Sequence, residues 1–159
     1  MSTLEDVIAG RTLHCIAPAA SAREAAQLMA VWRVSALPVV HEEDLVGIVT
    51  ERDLVQRVLA AGCDPDATPV AQIMSSALVT ARPGETYDEA LVQMARHRVR
   101  HLLVVSRDRL IGLVSMRDLL LVDAVEKSAA IELLTSYIYA VPPVLPPLGP
   151  LEEEWAHTL

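Results

Sequence analysis

Residues 13–54 align with residues 78–119 without a gap, at an offset of 65 positions, and 17 of the 42 aligned pairs are identical. The identities include Pro18/Pro83, Glu24/Glu89, Met29/Met94, Val34/Val99, Gly47/Gly112 and Asp53/Asp118. No other feature constrains the fold as strongly, because both copies must form the same supersecondary unit. One such unit is too small to hide its own apolar surface, so the two copies are expected to share one globule.

Each copy carries the same signals in the same order. Ser21-Ala-Arg-Glu24 and Thr86-Tyr-Asp-Glu89 are capping boxes, in which the hydroxyl accepts from an early helix amide while the carboxylate accepts from the cap amide. They predict helices over AREAAQLMAVW and YDEALVQMARH, where apolar residues recur at helical spacing among good helix formers. The stripes around Ala25, Met29, Ala90 and Met94 suit either a core or a dimer surface. The β-branched runs LPVV (37–40) and LLVV (102–105) then predict strands buried on both faces. Polar turns HEED and SRDR lead back through LVGIV and LIGLV to complete hairpins. Gly47 and Gly112, in mid-strand, predict something packed closely against the backbone. Each copy closes on a second hydroxyl-x-x-carboxylate cap, Thr50 to Asp53 and Ser115 to Asp118, which opens another helix.

Composition removes several classes of function. Apolar residues make up 52% of the chain but aromatics only 3%, with no phenylalanine, so the core must be aliphatic. A net charge of −8 argues against a general nucleic-acid binder, which needs a basic surface to displace counterions. No apolar run reaches the roughly 18 residues that span a bilayer, and MSTLEDVIAG has no basic stretch before an apolar run. A cytoplasmic chain without membrane contact is expected. Cys15 and Cys63 are too few for a disulfide framework or a zinc site, and His97 and His101 have no third ligand at a familiar spacing, so no metal is expected. The chain has no nucleophile elbow and no Walker-type phosphate loop, so neither catalytic residues nor an obligatory cofactor are expected.

The chemistry lies in Gly-Ile-Val-Thr-Glu-Arg-Asp at 47–53 and its echo Gly-Leu-Val-Ser-Met-Arg-Asp at 112–118. One reading is structural: the hydroxyl and carboxylate only cap a helix. The other is a nucleoside-phosphate site, with the helix N-terminus facing phosphate and the carboxylate accepting from ribose hydroxyls. The two readings are partly compatible. A hydrophobic strand, Gly-x-x-(Ser/Thr)-x-x-Asp and a helix, repeated in tandem over roughly residues 5–123, resembles the pair of CBS (cystathionine-beta-synthase-type) domains.

The resemblance implies an α+β fold: a tandem pair of β-α-β-β-α units packed sheet to sheet about a pseudo-two-fold axis. It also implies a regulatory module that binds AMP, ADP, ATP or S-adenosylmethionine in clefts between the copies. Carried over by position, Asp53 and Asp118 would hold ribose hydroxyls, and Thr50 and Ser115 would meet ribose or phosphate. Residues around Ala36, Leu37 and Pro38 and around His101, Leu102 and Leu103 would supply a second layer. The adenine side would be lined by His14 to Ile16 and by Val79 to Ala81, which includes Thr80.

The copies differ around these positions. The first has no cation in Ser35-Ala36-Leu37-Pro38 and carries Glu51 in its turn, whereas the second has Arg100, His101 and Arg117. Guanidinium groups suit phosphate, so the second copy is expected to be the better phosphate site. Arg107 and Arg109 are read as a solvated face. The alternative is an adaptor that keeps the fold without a working nucleotide site. Either way the expected partners are an adenosyl small molecule, a second copy of the chain in a homodimer, and a protein target not specified by the sequence.

Domains are expected at 1–60 and 70–123, joined by the Gly- and Pro-containing linker 61–69. Residues 124–159 should continue as a helix and then break in VPPVLPPLGP, whose five prolines favour an extended segment. That tail is expected to lie over the globule or a neighbouring subunit, which would cover Tyr137, Tyr139 and Trp155.

Overall fold

The computed structural model describes residues 1–140, so the Pro-rich segment and Trp155 lie outside the described residues, as do the side chains of Tyr137 and Tyr139. The chain divides into two units, Met1–Ala124 and Val125–Leu159. Both copies of the repeat therefore fall in the first unit. What is described of the second is the helical stretch to Ala140, which exposes Val125, Ile131, Leu133 and Leu134.

Within the first unit the helices begin where their caps predict. α2 (Ala22–Trp32) starts after Ser21, whose hydroxyl accepts from the Glu24 amide, and α5 (Tyr87–His97) starts after a complete capping box between Thr86 and Glu89. Both end on an arginine in the left-handed conformation, Arg33 and Arg98, each at φ 54°. Ala25, Met29, Ala90 and Met94 are all buried, which assigns those stripes to the core.

The hairpins follow in matching register. β1 (Ala36–His41) pairs antiparallel with β2 (Asp44–Thr50), and β4 (His101–Ser106) pairs with β5 (Arg109–Ser115). Each has a bulge at the same place, between Val39 and Val40 and between Val104 and Val105, beside the glycine of the returning strand. The leading strand of each unit is short. In the second copy it is β3 (Thr80–Ala81), parallel to β4, and in the first it shrinks to a single parallel bridge between Ile16 and Val39.

The helix after each hairpin differs between copies. In the first, α3 (Glu51–Asp53) widens at once into a π-helical stretch over Leu54–Leu59, whereas in the second α6 (Met116–Ala140) continues as a long α-helix. Among the described residues no helix is long and apolar enough to cross a membrane.

The copies are joined by an exchange of short helices. α1 (Leu4–Ile8) precedes the first copy but donates amides to the second, from Leu4 to the Glu85 carbonyl at 2.8 Å and from Glu5 to the Pro83 carbonyl at 2.9 Å. α4 (Val70–Ile73) precedes the second copy and makes the equivalent bonds to the first, from Val70 to Ala20 at 2.8 Å and from Ala71 to Pro18 at 2.9 Å. Leu4 and Val7 thus enter the core of the second copy with Ala81, Met94, Leu102 and Val114. Val70 and Ile73 enter the core of the first with Ile16, Leu37 and Val49.

The glycines mark where these crossings pass closest. Gly112 faces Ile8, whose Cδ1 would lie 2.8 Å from an added Cβ, and Gly47 faces Met74 and the Ser75 carbonyl. Leu4 is fully buried although it stands near the start of the chain. Deleting a buried leucine side chain usually costs about 2–5 kcal/mol through lost transfer energy and the cavity left behind. Leu4→Ala is therefore expected to lower the unfolding free energy by about that range in urea denaturation, as a substitution in the core of the second copy would.

Candidate functional site

The carboxylates singled out in the sequence each use one oxygen for the helix cap. At the start of α6, the Ser115 amide and hydroxyl donate to Asp118 Oδ2 at 2.8 and 2.6 Å, and the Asp118 amide donates back to Ser115 Oγ at 3.2 Å. At the start of α3, the Thr50 amide and hydroxyl donate to Asp53 Oδ2 at 2.8 and 3.0 Å. The structural reading of the motif is therefore satisfied by Oδ2 alone, leaving Oδ1 of each residue for another partner.

The partners of Oδ1 distinguish the copies. Asp118 Oδ1 meets Arg11 Nη1 at 2.9 Å, from the turn that follows α1. Asp53 Oδ1 faces Arg57 Nε at 3.6 Å, one turn further along its own helix. Burial pushes the Asp118 carboxyl up, but the Ser115 hydroxyl and amide and the Arg11 guanidinium outweigh it and hold the group below the usual carboxylate range.

Asp118 lines a cleft of about 890 Å³ built from both copies. The first copy supplies Thr12, Leu13, His14, Arg33, Ser35, Ala36 and Glu51, and the second supplies Arg100, His101, Ser115, Met116, Arg117 and Asp118. Four arginines, at 11, 33, 100 and 117, thus line the cleft with two carboxylates, those of Glu51 and Asp118. In an acidic protein, arginines outnumber carboxylates along this cleft, which favours an anionic ligand. The copies also touch there directly, as Ser35 Oγ and His101 Nε2 share a hydrogen bond of 2.9 Å. On one side of the cleft the ring of His14 stacks on Trp32, with centroids 3.9 Å apart.

Of the residues expected at the site, the structure brings together Ala36, Arg100, His101, Ser115, Arg117 and Asp118, along with His14. It does not bring the rest to this cleft. Leu37 and Leu102 are fully buried strand residues, Pro38 is buried beside Leu37, and Ile16 and Ala81 belong to the first and second cores. Thr80 lines a separate concavity of about 470 Å³ with Val79, Arg96 and His97. Thr50 and Asp53 line neither concavity.

Sequence reasoning missed Arg11 and Arg33. Arg33 had a signal, since it is identical to Arg98 in the repeat and ends a helix. Arg11 lies outside the aligned region, where the equivalent position is Ser76. Only the exchange of leading helices brings it to the second copy's carboxylate. Among the described residues no cluster of histidine, cysteine and carboxylate side chains is arranged to hold a metal ion.

Burial holds the His101 imidazole below its ordinary value, with repulsion from Arg100 adding to it and attraction to Asp118 opposing it. The unfolded chain therefore binds a proton at a higher pH than the folded one does. In the window from about 6.5 downward to the depressed folded value, stability falls as the pH falls. The expected result is an unfolding free energy that declines from pH 7.5 to pH 5.5. In the variant His101→Gln that decline should be smaller, which chemical denaturation at a series of pH values measures.

Comparison with known proteins agrees with this architecture. A family model for the CBS domain matches residues 4–60 and 70–124. The CBS domain-containing protein YhcV of Bacillus subtilis is 36% identical over 119 residues, covering 75% of this chain and 84% of that protein. A solved CBS-domain containing protein from Agrobacterium tumefaciens superposes with a TM-score of 0.72 at 28% identity, covering 77% of this chain and 99% of that one. The hexameric CBS-CP12 protein from bloom-forming cyanobacteria gives a TM-score of 0.68 at 30% identity, over 75% of this chain and 70% of that one. The repeat of the sequence and the two interlocked halves of the structure are thus a tandem pair of CBS domains, and the chain belongs to the CBS-domain family.

Proposed function

We propose that this protein is a non-catalytic regulatory sensor that binds an adenosine-containing ligand (AMP, ADP, ATP or S-adenosylmethionine) in the cleft shared by its two CBS domains. The observation that carries this reading is the placement of Asp118. Its carboxylate stands at the N-terminus of α6 with one oxygen engaged by the cap and the other directed to Arg11, inside a cleft lined by four arginines. An ionised carboxylate is a strong acceptor for ribose hydroxyls, and the state of Asp118 supplies one. Phosphate needs donors and positive charge, which the arginines lining the cleft offer. The cleft volume of about 890 Å³ lies within the range of small-molecule sites, roughly 300–1,000 Å³.

The ligand would touch both copies at once, through Ser35 and His14 on one side and Ser115 and Asp118 on the other. Occupancy would therefore bias how the two halves sit against each other, which is how a small molecule sends a signal to a partner surface. A hydrogen bond to a charged group contributes about 1.5–3 kcal/mol, so Asp118→Ala should weaken AMP and ATP binding by about tenfold or more in calorimetry. Asp53→Ala removes an equivalent cap outside the cleft and should leave the affinity within about twofold. Equal losses in the two variants would point to the cap rather than to ligand contact.

The protein also acts, on this reading, as a homodimer. Val55 and Leu120 occupy equivalent positions in the two copies and are 54% and 51% exposed, and Leu59 and Leu121 are exposed near them in sequence. Exposed aliphatic side chains in both halves suit self-association, and the hexameric relative shows that this fold supports assemblies. Sedimentation equilibrium should give a dimer mass for the wild type and a monomer mass for the double variant Val55→Glu/Leu120→Glu.

A further inference from the structure

We infer that Arg11 is a latch that makes this cleft selective for phosphorylated ligands, by occupying Asp118 until a phosphate draws it away. The inference rests on the adenosyl-ligand reading and extends it to a residue on the opposite copy.

The Arg11 guanidinium sits 2.9 Å from Asp118 Oδ1, the one carboxylate oxygen that the cap leaves over. A ribose hydroxyl seeking Asp118 must compete with that ion pair. A bare nucleoside breaks it and returns nothing to the guanidinium. A nucleotide also breaks it, but brings an anion into the same cleft, and Arg11 can exchange one oxyanion for another.

The surroundings favour such an exchange. The Arg11 side chain is 46% exposed, against 27% for Asp118, so it can turn without opening the core. It follows Gly10, whose φ of +72° places a flexible residue directly before it, and Ile8 of the preceding helix is anchored on Gly112. The base of the latch is therefore fixed while its head is free to move. Arg33, Arg100 and Arg117 line the same cleft, so a phosphate there meets other cations that would hold it within reach.

The equivalent carboxylate in the first copy lacks this arrangement. Arg57 faces Asp53 and also donates to the carbonyls of Ile73 at 2.9 Å and Met74 at 3.2 Å, which fix it in place. Releasing Arg57 would also cost its hydrogen bonds to the carbonyls at the end of α4, whereas releasing Arg11 breaks one partly exposed pair.

Calorimetry of the full chain with adenosine, AMP and ATP tests the latch in the wild type, Arg11→Ala and Arg11→Gln. Removing a half-exposed ion pair should let either variant bind adenosine about two- to fivefold more tightly. Loss of the phosphate contact should weaken ATP about tenfold. The preference for ATP over adenosine should then collapse in both variants, with AMP between the two. If the wild type binds ATP and the variants keep the same ATP-to-adenosine ratio, the latch is overturned and the adenosyl site stands. If the wild type binds none of the three, the site itself is overturned and the latch falls with it.

Discussion

The exchange of leading helices is the constraint on which the rest of the molecule depends. Each CBS unit completes its core with a helix that belongs, by chain order, to the other: Leu4 and Val7 fill the second, and Val70 and Ile73 fill the first. The matched amide bonds from Leu4 and Glu5, and from Val70 and Ala71, satisfy backbone groups that would otherwise be left unpaired at the edge of each half. Neither unit can therefore be lifted away without exposing the core of its neighbour. The connectors that leave these helices must cross from one half to the other, and one of them carries Thr12, Leu13 and His14 along the cleft.

This crossing also explains the two mid-strand glycines. A side chain at 47 or 112 would collide with Met74 or Ile8, the residues at the points where the connectors pass over the sheet. Glycine stands at both positions of the repeat because a crossing segment lies close against each. The same geometry brings residues of one copy to the carboxylate of the other, so the cleft has mixed parentage although each motif is local.

Much of the fold was legible in the sequence because it is set by short-range rules. The capping residues located the starts of α2 and α5, the β-branched runs located β1 and β4, and the polar turns located the hairpins. The cap at Ser115 and Asp118 was legible for the same reason. What could not be read was anything that required knowing which copy a segment packs on. Leu37, Leu102 and Ala81 are expected by position beside a ligand, yet they are buried in the two cores, because both faces of these strands are covered. Arg11 carried no local signal, since it lies before the repeat and reaches Asp118 only through the docking of α1.

The two copies place the same carboxylate on the same cap and then diverge in how they neutralise it. In the first, the arginine comes from position 57, and the matching position in the second is Val122, so no such pair can form there. In the second, the arginine comes from position 11, and the matching position in the first is Ser76. The difference is energetic as well as positional. Arg57 is bound to the carboxylate and to two carbonyls of the α4 segment, so its charge serves the fold. The two guanidinium groups are exposed to much the same extent, so solvent screens both pairs, but Arg11 meets its carboxylate without the carbonyl bonds that Arg57 makes. The two equivalent carboxylates are thus paired in different ways, one with an arginine that also holds the α4 segment and the other with an arginine that lines the cleft beside Arg33, Arg100 and Arg117.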